Sequence, residues 1–370
     1  MSERVCIVYH DMITVYGHGV SRCMEALFAN RTDFREITRF DVRTEPPARA
    51  ACFPAELIPD DLENPAENSI LRLLDRMEES GPFLRDCSAA FWALTQGEID
   101  KLDNAEKVWT AKLLERATAK RLPKGVDSRI FSASCASGNI ALARAAFEIS
   151  SGRAEQILVL GCDVVSEFTF SGFSSVHALT PTTCRPYDST HDGLLLGDAA
   201  GVMVLCSEKT AKKNRWPVLA VIAGYGITTD AYHAAAPDPE GRQMARAIRQ
   251  VLDRCPGKAV AGVIGHGTGT VLNDDMEIAA LNEVFPAGLP LASIKGGTGH
   301  ILAASGLIQG SCAIDCLDRG QMFPQTSLRT PERGAEKFVS ARPQLLRGDL
   351  ILTLNAGFGG LNAVIGIGRY

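Results

Sequence analysis

Apolar positions along this chain alternate between short continuous runs and helix-spaced faces, the grammar of an α/β protein. Val5–Val8 is a strand-like run, and Val20–Phe28 carries a helical pattern. A charged, irregular region follows from about Thr44 to Val126, with helical stretches near Ser69–Glu79 and Lys107–Lys120. Then come a strand over Ser128–Ser132, an apolar helix opening after Cys135, and a buried strand at Gln156–Gly161. Gly201–Leu205 reads as a further strand, entered through the turn Gly197-Asp198-Ala199-Ala200. After Glu208–Asn214, read as a helix end and linker, the order restarts. Strands are predicted at Val218–Ile222, Val260–Ile264, Asp349–Leu354 and Asn362–Gly368, and helices at Gln243–Leu252, Asp275–Val284 and His300–Leu317.

The two stretches rhyme. Ser134-Cys135-Ala136-Ser137-Gly138 opens one small-residue helix, and Gly297-Thr298-Gly299-His300 opens another. About sixty residues later each reaches a glycine turn followed by a strand, Gly193 to Val204 in one and Gly357 to Gly366 in the other. The expectation is a pair of repeated α/β halves, residues 1–209 and 210–370, with a site at their junction.

Composition narrows the class. The 46% hydrophobic content and 34 glycines in 370 residues fit a compact protein with many tight turns, and only 6% aromatics leave the core to Ala, Val, Ile and Leu. A net charge of −5 without a long basic run argues against nucleic acid or an anionic membrane as partner. The N-terminus runs straight into a strand rather than a signal peptide, and no apolar run reaches the ~18 residues of a membrane span. Eleven scattered cysteines without a Cys-x-x-Cys pair point to buried thiols in a reducing compartment, hence the cytoplasm.

One of those cysteines has a particular place. Cys135 stands where small residues give way to a helix, and a thiol facing a helix N-terminus is favoured as thiolate. Three other segments carry complementary chemistry. Gly265-His266-Gly267-Thr268-Gly269-Thr270 follows the strand Val260–Ile264, aiming a histidine into the crevice at the sheet's carboxyl edge. Ser293-Ile294-Lys295-Gly296-Gly297-Thr298-Gly299-His300 places a lysine and a histidine at the start of a helix. Asn355-Ala356-Gly357-Phe358-Gly359-Gly360 offers backbone that a substrate can approach closely. A cysteine, two histidines, a lysine and a glycine-rich turn suit acyl-thioester chemistry: a thiol accepts an acyl group while N–H donors hold a carbonyl oxygen gaining charge.

In this order the blocks resemble those of the elongating β-ketoacyl-acyl-carrier-protein synthases, in the thiolase-fold family. Arg185-Pro186-Tyr187-Asp188, Asp192-Gly193, Gly197-Asp198-Ala199-Ala200-Gly201, Thr229 to His233 and Ala236 to Gly241 fit as well. The resemblance spans nearly the whole chain, but no block before Cys135 contributes. It implies a thiolase-like fold with layers in α-β-α-β-α order. It implies a decarboxylative Claisen condensation in fatty-acid, polyketide or polyene assembly: Cys135 carries the acyl group, and His266 and His300 hold the thioester oxygen of a malonyl extender. Each histidine is then neutral at one ring nitrogen and donates from the other. The N–H groups of Cys135 and Phe358 receive the oxyanion, Phe358 gates entry, and Lys295 holds the charge network. The implied partners are an acyl carrier protein bearing phosphopantetheine thioesters and a second ketosynthase subunit, identical or not. No cofactor of the protein's own is implied, and no spacing matches a standard metal-ligand set.

The chain departs from the family pattern in ways that bear on the site. Gln309 stands where an acid that could pair with Lys295 is usual, Asn355-Ala356 replaces Asn-Ser-Phe, and Leu361 replaces a common threonine. The chain is some forty residues shorter than a typical member. Each site residue also has a structural reading: loop or cap hydrogen bonding for His266 and His300, packing for Lys295, core for Phe358. His10, His18, His177, His191 and His233 are read as structural, and Asp274 and Glu277 as anchors of the His266 loop. Among rival functions, a degradative thiolase calls for a Cys-x-Gly motif in the C-terminal half, which is absent, and a starter-type synthase calls for one histidine and an asparagine. A chain-length-factor-like subunit, active only in a heterodimer, stays open as the alternative.

Overall fold

The computed structural model describes residues 3–42, 44, 46–59, 64–85, 87–95, 119 and 121–370. The helix expected near Lys107–Lys120 lies, but for Ala119, outside the described residues. Among the described residues the main sheet has eleven strands, ten of them along one path: β1 (Val5–Thr14), β2 (Ala89–Ala93), β3 (Asp127–Phe131), β4 (Gln156–Asp163), β5 (Ala199–Ser207), β6 (Ala220–Thr229), β7 (Val260–Ile264), β8 (Leu291–Ala292), β9 (Leu350–Gly357) and β10 (Leu361–Gly368). Their order is β8-β7-β9-β10-β6-β1-β5-β4-β2-β3, and the two-residue strand Gly17–His18 pairs with β1.

This order is one pattern used twice. β1-β5-β4-β2-β3 maps strand by strand onto β6-β10-β9-β7-β8. In each set the first two pairings are antiparallel and the last two parallel. The sets join where Val5, Cys6 and Ile7 of β1 oppose Ile222, Val221 and Ala220 of β6.

Helices fill the spaces between and outside the two five-stranded sets. Among the described residues the longer ones are, in chain order, α1 (Val20–Phe28), α2 (Pro65–Ser80), α3 (Ser137–Ser150), α4 (Glu167–Ser175), α5 (Glu208–Asn214), α6 (Arg242–Arg254), α7 (Val271–Val284) and α8 (Ser305–Arg319), with a single helical turn at Lys295–Thr298 before α8. α3 and α8 lie between the sets and touch both, α2 covers the outer face of the first, and α6 and α7 cover the second. Alternation along the strands explains the layering. Ile157 and Val159 of β4 face the central helices, while Leu158 and Leu160 face Ile70, Leu73, Leu74 and Met77 of α2. Ile351 of β9 faces inward, while Leu350 and Leu352 pack on Met244, Ile248 and Val251 of α6. With both faces covered, the strands read as continuous apolar runs.

The two central helices meet at glycine. A Cβ on Gly138 would lie 2.6 Å from the Ala303 carbonyl oxygen, and one on Gly306 would lie 2.4 Å from the Asn139 nitrogen. Asn139 then reaches across, its Nδ2 donating to Thr353 O at 3.1 Å and Ala363 O at 3.0 Å. Another long-range tie is the pair of Arg39 with the fully buried Asp198, which also accepts from the backbone N–H of Phe53 and Val165. No helix among the described residues is long and apolar enough to cross a membrane.

The thiolase-like layering is as expected, with local corrections. β2 lies inside the region read as irregular, because its five-residue run Ala-Ala-Phe-Trp-Ala is short and buried on both faces between β3 and β4. α4 and α5 are helices of their own, each capped by a serine (Ser166, Ser207) that accepts from the N–H three residues on. The helix expected from His300 begins at Ser305 instead. His300 is extended: its N–H donates to Leu195 O and its carbonyl accepts from Gly197 N, so backbone pairing with residues 195–197 outcompetes the helix there.

Candidate active site

The carboxyl ends of the parallel strands in both sets converge on one cavity of about 460 Å³. Cys135 reaches it from the turn between β3 and α3, His266 from the end of β7, and His300 from the segment between β8 and α8. Phe358 reaches it from the hairpin joining β9 to β10. Cys135 and the Lys295–His300 segment thus occupy equivalent places in the two repeats, each between a parallel edge strand and a central helix. Lys295 is buried just behind His266 and does not line the cavity.

The turn that presents Cys135 is tight. Ser134 takes φ 50°, a left-handed conformation costly for a residue with a side chain. Ser137 holds it, accepting from Ala133 N at 2.8 Å and donating to Ser134 O at 2.6 Å. Gly357 packs directly against this turn, since a Cβ there would lie 3.1 Å from Ser134 Cβ and 3.4 Å from the Cys135 nitrogen. Ser134 Oγ donates to Phe358 O at 3.3 Å, tying the cysteine turn to the glycine-rich hairpin.

The state of the thiol corrects an expectation. Helix α3 starts at Ser137, two residues past Cys135, and the thiol is 6% exposed. Burial pushes the Cys135 thiol up to about 12, outweighing the opposing field of Lys295. The resting protein holds a neutral thiol there, because desolvation of the anion exceeds what the helix end returns.

The two histidines lie with ring centroids 5.4 Å apart and nearly perpendicular planes. Burial holds both well below the ordinary imidazole range, and the nearby Lys295 charge adds to the effect. Both rings are therefore neutral. Leu302 N–H donates to His300 Nδ1 at 3.2 Å, which leaves the ring proton on Nε2. Lys295 Nζ lies 3.2 Å from His266 Nδ1 and also donates to the His266 carbonyl. An ammonium only donates, so His266 too carries its proton on Nε2. The pair is set as two N–H donors, the state that the sequence resemblance implies.

The loop of His266 is held from below. Glu277 accepts the N–H groups of His266 and Gly267, both at 2.7 Å, and the Tyr187 hydroxyl at 2.9 Å. Asp274 accepts Thr268 N, Gly269 N and Tyr187 N. Gly265 and Gly267 are required because any Cβ there would strike the Tyr187 ring or hydroxyl. The anchoring read from the sequence for Asp274 and Glu277 is what these bonds provide, and they give Tyr187 of the Arg-Pro-Tyr-Asp block its part.

Gln309 does not stand in for an acid. Its Nε2 donates to Gly265 O at 2.7 Å and Leu354 O at 3.3 Å, and its Oε1 accepts from Asn355 Nδ2 at 2.7 Å. It ties α8 to the ends of β7 and β9. Among the described residues no carboxylate lies within ion-pair distance of Lys295, and burial lowers its ammonium to about 8. Phe358 is not core; it is 44% exposed at the mouth, against Phe173 at 5.6 Å between centroids. Phe173, which the sequence reading passed over, also stands edge-on to His300 at 6.0 Å. Its only sequence signal is the Ser166 cap that starts α4. His233 and His177 line the cavity as well, and His233 Nδ1 is occupied by the N–H groups of Ala235 and Ala236.

Two family models match: the N-terminal domain of β-ketoacyl synthases over residues 127–211 and the C-terminal domain over residues 219–329. A 3-oxoacyl-[acyl-carrier-protein] synthase 2 of Staphylococcus aureus is 31% identical over 243 residues, 62% of this chain and 60% of that protein. The chain thus spans about 60% of the length of that relative. Nodulation protein E of Rhizobium leguminosarum bv. trifolii is 30% identical over 288 residues, 71% of each chain. Among solved structures, the ishigamide ketosynthase/chain length factor superposes over the full length of both chains with a TM-score of 0.90 and 25% identity. A β-ketoacyl synthase of Burkholderia phymatum does so at 0.86 and 22%, a likeness of fold. The paired histidine donors beside a cysteine and the two consecutive domain matches lead to one assignment: the chain belongs to the β-ketoacyl synthase family.

Proposed function

We propose that the protein catalyses decarboxylative condensation of an acyl group carried on Cys135 with a malonyl thioester held on a carrier protein. The observation that carries this reading is the pair of buried imidazoles, His266 and His300, each with its Nδ1 engaged behind it, lining the same cavity as Cys135. In the first half-reaction the Cys135 sulfur attacks an acyl thioester and its proton leaves with the departing thiol. In the second, the malonyl carboxylate departs as carbon dioxide, and its electron pair forms an enolate whose oxygen is held by His266 and His300. The enolate carbon then attacks the acyl carbonyl on Cys135. The backbone N–H groups of Cys135 and Phe358 receive the oxyanion, and collapse expels the thiolate, which takes up a proton. Lys295 is a positioning residue that keeps the His266 proton on Nε2, and Phe358 gates the cavity mouth.

The same reading assigns the partners as an acyl carrier protein bearing phosphopantetheine thioesters and a second ketosynthase subunit, and the compartment as the cytoplasm. Eleven buried cysteines, none of them in a disulfide, support that compartment. We take the chain as two halves, 1–209 and 210–370, supported by the repeated strand order. The test is intact-protein mass spectrometry after incubation with a panel of acyl-carrier thioesters, for wild type and Cys135→Ala. An acyl adduct on wild type alone, discharged by malonyl-carrier thioester with release of carbon dioxide, is expected. Absence of any adduct on wild type overturns the nucleophile. An adduct without decarboxylation shifts the assignment to a subunit that acts only within a heterodimer.

A further inference from the structure

Behind the His266 loop lies a second polar cluster that the condensing chemistry does not use. Asp274 already accepts from Tyr187 N, Thr268 N, Gly269 N and Asn273 Nδ2, and His191 Nδ1 lies 3.3 Å from its Oδ2. A carboxylate so surrounded by donors only accepts, so the His191 proton on this side sits on Nδ1. On its other side His191 Nε2 stands 3.4 Å from Glu332 Oε2. Glu332 is buried, 6% exposed, and its Oε1 has no hydrogen-bond partner. Asp275, the residue after Asp274 in α7, brings another carboxylate, and one ligand atom from each of His191, Asp275 and Glu332 lies within 4.8 Å of the others. Among the described residues no lysine or arginine forms an ion pair with Asp274, Asp275 or Glu332.

We propose that His191 Nε2, Glu332 and Asp275 form a binding site for one divalent transition-metal cation of the zinc or manganese type, with Asp274 orienting His191 behind it. One imidazole with two carboxylates is a donor set for such borderline cations. A histidine that ligates through one nitrogen and gives its other N–H to a carboxylate is the usual outer arrangement. Ligands about 2.0–2.1 Å from a tetrahedral zinc stand about 3.3–3.4 Å apart, which matches the His191–Glu332 separation. Asp275 is exposed and can swing inward to close the third position. The site is also built rather than incidental. Glu332 N donates to Tyr187 O at 2.9 Å and Ser189 N to Thr330 O at 2.8 Å, so the two segments bearing His191 and Glu332 are stitched together. A cation here braces Asp274, and through it the backbone of Thr268 and Gly269 beside His266.

The experiment uses the full chain after treatment with chelator, titrated with Co²⁺ and followed by visible absorption, with Zn²⁺ uptake by calorimetry in parallel. The expected result is one equivalent of Co²⁺ giving ligand-field bands with no thiolate-to-metal charge-transfer band. Asp275→Asn should weaken uptake by at least about tenfold, and Glu332→Gln and His191→Ala should weaken it further. Acid pH should weaken it too, as protons compete for the ligands. Asp275 is exposed, so its variant keeps the fold even if the buried variants do not. No uptake by wild type at millimolar metal, a thiolate band, or undiminished uptake by Asp275→Asn and Glu332→Gln overturns the site. The readout is metal uptake rather than turnover, so its outcome is separate from that of the condensation proposal.

Discussion

Lys295 Nζ stands 3.2 Å from Nδ1 of His266, a buried ammonium against a buried imidazole with no carboxylate paired to it among the described residues. An unpaired buried cation is costly. Here its cost is met by the His266 carbonyl and by the fields of Glu277 and Asp274. What it obtains for the site is a fixed tautomer: while Lys295 is charged, His266 can donate only into the cavity.

Replacing that ammonium should therefore separate the two half-reactions. In Lys295→Met, acyl transfer to Cys135 is expected to be the less affected step, because the cysteine turn is untouched and burial outweighs the Lys295 field on the thiol. Carbon dioxide release from a malonyl thioester should fall by about 10²–10³-fold, the effect of losing one oxyanion donor. Equal losses in both half-reactions would remove the positioning role.

Lys295 also sets a pH limit. Burial lowers its ammonium to about 8, so the charged form is present below that pH and is lost as pH rises through it. Once neutral, Nζ can accept the Nδ1 proton and the cavity-facing N–H of His266 is no longer enforced. Decarboxylation should decline above about pH 8 in wild type, and this limb should vanish in Lys295→Met. On the acid side both imidazoles stay neutral below the ordinary range, so the rate should hold through pH 6.5. Rate profiles of carbon dioxide release read both limbs.

Stability of the fold centres on the crossing of α3 and α8. Gly306→Ala puts a Cβ 2.4 Å from the Asn139 nitrogen and 2.6 Å from the Gly138 carbonyl carbon, both backbone atoms that cannot rotate away. A loss of about 1–3 kcal/mol or more is expected, read as a lowered denaturation midpoint. An unchanged midpoint would mean that the helices separate freely.

Asp198 offers a second stability test. It is fully buried, with Arg39 on both oxygens at 2.9 and 2.5 Å. Asp198→Ala takes the carboxylate away from a largely buried guanidinium and from the N–H groups of Phe53 and Val165. A loss of about 3–5 kcal/mol in chemical denaturation is expected. The double variant with Arg39→Met should recover part of it.

Much of this architecture is written locally. β7 and α1 fall on the residues their periodicity predicts, and most other elements within a few residues, because strand alternation and helical spacing are properties of neighbours. The blocks around Cys135, His266, Lys295, His300 and Phe358 were legible for the same reason: each is a strand end or helix start whose glycines and small residues make a specific turn.

The remainder depends on residues far apart in the chain. β2 was missed because five apolar residues do not tell a strand from a buried segment. The helix at His300 starts late because the backbone of residues 195–197 claims it. Cys135 is a neutral thiol rather than a thiolate because tertiary packing removes water from it, and desolvation is not written in its neighbours. Gln309 is a tie between α8, β7 and β9, a role set by Gly265, Leu354 and Asn355. Sequence alone determined the repeated elements, the family and the residues that meet at the site. Tertiary structure decided their protonation, their tautomers and the cluster of His191, Asp275 and Glu332, because burial and long-range hydrogen bonds exist only once distant segments of the chain are packed together.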